Sequence, residues 1–293
     1  MNTPEIPQSL ALEHPCFALG KPNNKGRIHL PVSPACNLEC AFCSRSRNRD
    51  EQRPGVTAEI LTPAEAAEVT RRALELAPEI TVVGIAGPGD TLATPHAIET
   101  FRLVAREFPH LIKCLSTNGL LLPEKLAELI DVGVGTLTVT VNDVVPETLK
   151  DICGRVLYHG EAMEGEAAAR LLIANQLAGI RLAADAGITV KVNTVLIPEV
   201  NSGHIEEIAQ TVAAAGASVY NIIPLIPQNK LAHLLPPSCA ETDEARSLAE
   251  PYIQVFRHCQ HCRADAVGIP GGTDYGEQLY LKRVSGESTF SHG

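Results

Sequence analysis

The chain has 293 residues, 45% of them hydrophobic, so a sizeable core is within reach and one large α/β catalytic domain with irregular ends is expected. Twenty-four basic against 34 acidic residues leave a net charge of -10, which argues against a polyanion-binding surface and against nucleic acid as a partner. No apolar run reaches the roughly 18 residues of a membrane span, and the first ten residues lack the basic-then-apolar order of a secretory signal, so a cytoplasmic protein with no membrane partner is expected.

Residues 1–26 carry no periodicity and read as an N-terminal arm. Over 27–32 the side chains alternate, with Ile28, Leu30 and Val32 on one face and His29 on the other, which predicts a strand feeding a cysteine-rich loop. Thr62-Pro63-Ala64-Glu65 combines an N-cap hydroxyl, proline at the first helical position and glutamate three residues after the cap, predicting a helix to about residue 76. A β-branched run at 80–85 ends in Gly-Pro-Gly, and Thr94-Pro95 opens a helix reaching about residue 107. The alternation continues with a strand over 111–115, a helix over 123–131 and a strand over 136–141. In the long helix predicted over 166–186, Ile173, Leu177, Ile180 and Ala184 recur at helical spacing, and Gly187 closes it before a strand over 188–196. A helix over 204–215, a strand over 218–223 and a short helix near 243–250 precede the cysteine-bearing tail.

Six strand-helix units at this spacing imply parallel strands with right-handed crossovers, hence a doubly wound sheet or an open or closed α/β barrel. The pattern alone does not choose among them. We divide the chain into an arm (1–26), a barrel (27–235) and a C-terminal helix with a cysteine-bearing tail (236–293). In such sheets ligands collect beyond the C-terminal strand ends, where the cysteine loop, Gly87-Pro88-Gly89 and Ser116-Thr117-Asn118-Gly119 fall.

Nine cysteines in a cytosolic protein are more naturally metal ligands than disulfides. Cys36, Cys40 and Cys43 supply three thiolates from one loop, one fewer than an ordinary 4Fe4S cluster uses. An iron without a protein ligand can chelate the amino and carboxylate groups of S-adenosylmethionine (SAM), and an electron from the cluster can then split the sulfonium. A structural zinc site pairing Cys40 and Cys43 with Cys259 and Cys262 is the bland alternative, and it leaves Cys36 unexplained. Phe42, between two ligands, is either a core aromatic or a neighbour of bound SAM; Gly87 lies in a motif that makes either a ligand approach or a tight turn. Asn142, at the end of a strand with Thr138 and Thr140, either caps that strand or bonds a ribose or carboxylate. Residues 257–262 are dense enough in soft ligands to mark a second metal site.

Six stretches carry a family likeness: His14-Pro15-Cys16-Phe17, Pro34 through Cys43, Arg53-Pro54-Gly55-Val56, Gly84 through Asp90, Cys114 through Gly119, and His258 through Gly268. Through them the chain resembles the NifB family of nitrogenase cofactor maturases, which are radical SAM proteins. The resemblance implies a partial (β/α)6 TIM-like radical SAM barrel with N- and C-terminal extensions that carry metal ligands. It implies fusion of two 4Fe4S substrate clusters, with an added sulfur and a SAM-derived carbide, into an 8Fe9SC precursor. Carried over by position, Cys16, His29 and Cys114 would hold one substrate cluster and Cys259 with Cys262 the other; Glu51 would lie near the reacting clusters as a polar or proton-handling group. Phe42, Gly87, Thr140, Asn142 and Val195 contact SAM. Taken singly, Cys16, His29, Cys114 and Glu51 read as a buried thiol, a satisfied barrel histidine, core packing and a surface carboxylate. Implied partners are iron-sulfur cluster donors, cofactor carrier proteins and an electron donor such as ferredoxin or flavodoxin.

The family has a further cysteine three residues before the glutamate, where this chain has Asn48 in a segment about one residue shorter. Cys239, Cys153, Asp50 or an exogenous ligand would complete the second substrate site, with Cys239 the leading choice. The chain ends soon after the cysteine pair, so no appended carrier domain is expected. The competing readings are a radical SAM maturase or methyltransferase using an auxiliary cluster on a peptide or small molecule, and a noncatalytic iron-sulfur or zinc protein.

Overall fold

In a computed structural model, residues 4–18 and 23–281 are described, together with the backbone of 288–289. Six strands lie parallel in sequence order: β1 (Gly26–His29), β2 (Ile80–Ile85), β3 (Ile112–Thr117), β4 (Val134–Thr140), β5 (Thr189–Leu196) and β6 (Val219–Pro224). Two short strands from the tail extend both edges, β7 (Gln254–Val255) parallel to β6 and β8 (Val267–Gly268) antiparallel to β1. The sheet runs β7-β6-β5-β4-β3-β2-β1-β8; the strictly sequential order of the six parallel strands excludes a doubly wound sheet, and the opening between β7 and β8 excludes a closed barrel, leaving a partial barrel.

Outside the sheet lie α1 (Pro63–Leu76), α2 (His96–Glu107), α3 (Leu122–Asp131), α4 (Gly165–Asp185), α5 (Ile205–Ala214) and α6 (Cys239–Ala249). Alternate strand residues, among them Val83, Leu115, Leu137, Val192 and Ile222, pack outward onto helical residues such as Phe101, Leu129, Ile180 and Ile208 in one continuous core. The predicted capping box forms at α1, where Thr62 Oγ1 accepts from Glu65 N and Glu65 Oε2 accepts from Thr62 N. A second box, Ser238 with Glu241, starts α6 four residues before the predicted 243 and puts Cys239 in an exposed first turn.

Residues 146–164, unassigned in the sequence reading, form a helix at Pro146–Ile152 and a hairpin of Cys153–Tyr158 with Glu161–Glu164. His159 and Gly160 both have positive φ (51° and 82°) in its two-residue turn, the mirror-image geometry favoured by strand twist. The first hairpin strand pairs antiparallel with Leu38–Cys40, so this insertion braces the cysteine loop. In the arm, Gln8–Glu13 is helical, and Phe17 is fully buried with Val219 and Phe256 near the N-terminal end of β6. Among the described residues no helix is long and apolar enough to cross a membrane.

Candidate functional site

Strand periodicity that sends one set of side chains to the helices sends the other into the barrel. The inward set is small, polar or charged: Arg27 and His29 on β1, Gly84 on β2, Cys114 and Ser116 on β3, Thr138 and Thr140 on β4, Lys191, Asn193 and Val195 on β5, and Asn221 on β6. They surround a cavity of about 350 Å³, whose wall is completed by Phe42 and Cys43 from the cysteine loop, His14 and Cys16 from the arm, and Cys259, His261 and Cys262 from the tail.

The cysteine loop is fixed from two sides. Ser33 O and Ala35 O accept from the backbone N–H groups of Gly89 (2.8 Å) and Asp90 (2.9 Å). A Cβ on Gly89 would stand 2.0 Å from Ala35 O, so only glycine allows this approach. The Asp90 carboxylate accepts from Asn118 N (2.6 Å), Leu92 N (3.0 Å) and Thr117 Oγ1 (2.9 Å), and Asn118 Nδ2 donates to Asn37 Oδ1 (2.6 Å). The Gly-Pro-Gly-Asp and Ser-Thr-Asn-Gly motifs thus hold the cysteine loop in place.

Burial, with Asp90 nearby, pushes the Cys36 thiol up to about 12, and burial with Cys40 nearby pushes Cys43 up to about 11. Cys40 is raised by its hydrogen bond to Cys153, whose Sγ is 3.6 Å away, and by burial. These are neutral thiols until a metal displaces their protons. Three soft donors on one rigid loop, with Cys43 on the cavity wall, fit an iron-sulfur cluster.

Lower in the barrel, His29 Nδ1 lies 3.0 Å from Arg263 O, which can only accept, so Nε2 keeps its lone pair. Burial and the Arg27 charge lower the His29 pKa to about 4, which keeps the ring neutral. A Cβ at Gly84 would approach His29 Cδ2 to 3.0 Å, so glycine makes room for the ring. Cys114 is pushed up to about 11 by burial. Arg27 bonds Cys262 Sγ through Nη2 (2.9 Å). Lys191 Nζ donates to Cys16 O (3.2 Å) and lies 4.9 Å and 5.2 Å from the Phe17 and Phe256 ring centres.

The structure therefore brings Cys16, His29, Cys43, Cys114, Cys259 and Cys262 around one cavity, together with Phe42, Thr140 and Val195. It sets other predicted residues back. Asn142 is buried, and its Oδ1 accepts from Val195 N (3.0 Å), joining β4 to β5. Gly87, with φ 120°, lies beside Ala264 between the wall residues Ala86 and Pro88. Glu51 lies outside the wall. Burial alone would raise its carboxyl, but hydrogen bonds from Arg53 (2.5 Å), Ser46 (2.9 Å) and Asn48 (2.5 Å) hold it below the usual range. Arg53 itself reaches the cavity.

Of the candidates to complete the second site, Cys239 is exposed and Cys153 is buried behind Cys40 among Leu149, Ile152 and Val156. Sequence reasoning gave no role to Arg27, Lys191 or His14, and placed His261 only within the soft-ligand stretch 257–262. His14 Nδ1 accepts from Cys16 N (3.1 Å), while Nε2 is buried without a hydrogen-bond partner among the described residues. The available signal for Arg27 and Lys191 was a charge at the inward parity of a buried parallel strand.

Residues 30–212 match the model of the radical SAM superfamily. The chain is 46% identical over 258 residues to the FeMo cofactor biosynthesis protein NifB of Methanocaldococcus jannaschii, covering 87% of this chain and 86% of that one. It is 36% identical to the protein of the same name from Azotobacter vinelandii, over 97% of this chain and 58% of that one. A crystal structure of a radical SAM methyltransferase from Sphaerobacter thermophilus shares the fold, with a TM-score of 0.60 at 18% identity, covering 82% of this chain and 70% of that one. The superfamily implies a 4Fe4S cluster, SAM and a reductant. The chain belongs to the NifB family, radical SAM enzymes of FeMo cofactor biosynthesis.

Proposed function

We propose that the chain fuses two 4Fe4S substrate clusters, with an added sulfur and a SAM-derived carbide, into an 8Fe9SC precursor. The observation that carries this reading is the shared cavity: Cys43 of the loop faces the same space as Cys16, His29, Cys114, Cys259 and Cys262. Cys36, Cys40 and Cys43 hold the resident cluster, and Phe42, Thr140 and Val195 flank SAM, with Gly87 and Asn142 supporting them from behind. Bound together, that cluster and SAM supply one-electron cleavage of the sulfonium and a radical able to take hydrogen from a methyl group donated by a second SAM.

Cys16, His29 and Cys114 hold one substrate cluster, and Cys259 with Cys262 the other. Lys191 and Arg27 place two cations against these thiols, offsetting the negative charge that accumulates when thiolates gather around iron and sulfide. Glu51 serves as a polar or proton-handling group near the clusters, and its ion pair with Arg53 orients the guanidinium that reaches the cavity. Cluster donors, a cofactor carrier and a low-potential donor such as ferredoxin or flavodoxin complete the proposal, in the cytoplasm.

Anaerobic reconstitution with iron, sulfide and SAM tests it. The reading expects about twelve irons per chain and maturation of apo-nitrogenase by the product; about four or eight irons without maturation would point to an auxiliary-cluster enzyme acting elsewhere.

A further inference from the structure

Cys259 and Cys262 give the second substrate cluster two thiolates, and the other candidate donors are turned to different uses. Asn48 is buried, with Oδ1 accepting from Asp50 N (3.1 Å) and Glu51 N (3.0 Å) and Nδ2 donating to Ser46 Oγ (3.1 Å) and Glu51 Oε1 (2.5 Å). Neither Cys239, Cys153 nor Asp50 reaches the cavity wall.

His261 does reach it. In extended backbone, adjacent side chains point to opposite faces, so Cys262 and its neighbour would not share a cavity. His261 instead has φ 48°, in the left-handed region that non-glycine residues seldom occupy. Both His261 and Cys262, with Cys259, consequently line the same wall. Backbone strain of this kind persists where surrounding structure holds it, and it concentrates at ligand sites. The His261 ring makes no hydrogen bond, ion pair or ring contact among the described residues. By contrast, His258 is exposed and stacks edge-on against Phe256, away from the wall.

We propose that the imidazole of His261 is the third protein ligand of the second substrate cluster, giving a Cys-x-His-Cys set. The assignment rests on the reading of Cys259 and Cys262 as a substrate-cluster site. Imidazole is an accepted replacement for thiolate on iron-sulfur clusters. As a neutral ligand it leaves one fewer negative charge on the assembly and binds iron less tenaciously than thiolate, which suits a cluster that must leave the protein.

The test compares iron per chain after anaerobic reconstitution of the full chain and of Cys259→Ala, His261→Gln and His261→Cys, with pulsed EPR of protein labelled with 15N-histidine. We expect about twelve irons in the parent and in His261→Cys, and about eight in Cys259→Ala and His261→Gln. Nitrogen coupling should persist in His29→Cys and vanish when His261→Cys is added. A count of about twelve in His261→Gln, beside about eight in Cys259→Ala, overturns the His261 assignment and leaves the second site standing. About twelve in both overturns the site as well. Loss in His261→Cys equal to that in His261→Gln, or nitrogen coupling indifferent to His261, also overturns the ligand role.

Discussion

Cys36, Cys40 and Cys43 come from one loop at the mouth of the sheet, whereas Cys16, His29, Cys114, Cys259 and Cys262 come from an arm, two strands and a tail. The first group is clamped by Gly89, Asp90 and Asn118 and braced by the hairpin strand Cys153–Tyr158. The second is gathered only when the arm and tail close on the barrel, through Lys191 bonding Cys16 O and Arg27 bonding Cys262. A resident cofactor is served by a site organised locally. On the proposed reading, a substrate that must enter and leave is served by donors mounted on separate elements, which together line an open-sided barrel.

The sharpest break of this comparison is Cys40→Ala, which removes one of three resident thiolates and should abolish SAM cleavage, measured as deoxyadenosine production. Cys114→Ala attacks the other region; it should cost about four irons per reconstituted chain and stop precursor formation while the spectrum of the resident cluster survives. Gly89→Ala strikes the clamp without touching a donor. The new Cβ meets Ala35 O at 2.0 Å, so the loop must shift; the melt should show about 1–3 kcal/mol lost, with lower resident-cluster occupancy. Thr62→Ala is the control that removes none of the proposed donors, costing about 1 kcal/mol at the α1 cap in a thermal melt with iron content unchanged.

The same contrast governs what was legible in the sequence. The loop motif and its two supporting turns are contiguous, and six strand-helix units were readable because their hydrophobic periods are long. Two-residue strands such as β7 and β8 have no period to read, and their places at the sheet edges are set by long-range pairing. The hairpin escaped because His159-Gly160 lacks the Asn-Gly signature of its turn type. Lys191 and Arg27 were visible only as charges in strands, and their roles depend on Phe17, Phe256 and Cys262, which are remote in sequence. Cys239 looked available in a proline-rich segment, but the Ser238 capping box draws it into a helix facing solvent.

The central claim is an iron in the Cys36-Cys40-Cys43 loop that the polypeptide leaves open to SAM. EPR of the anaerobically reduced protein, recorded with and without SAM, tests it most directly. The account predicts a 4Fe4S signal that changes when SAM is added. Absence of that cluster, or a signal identical with and without SAM, would contradict it.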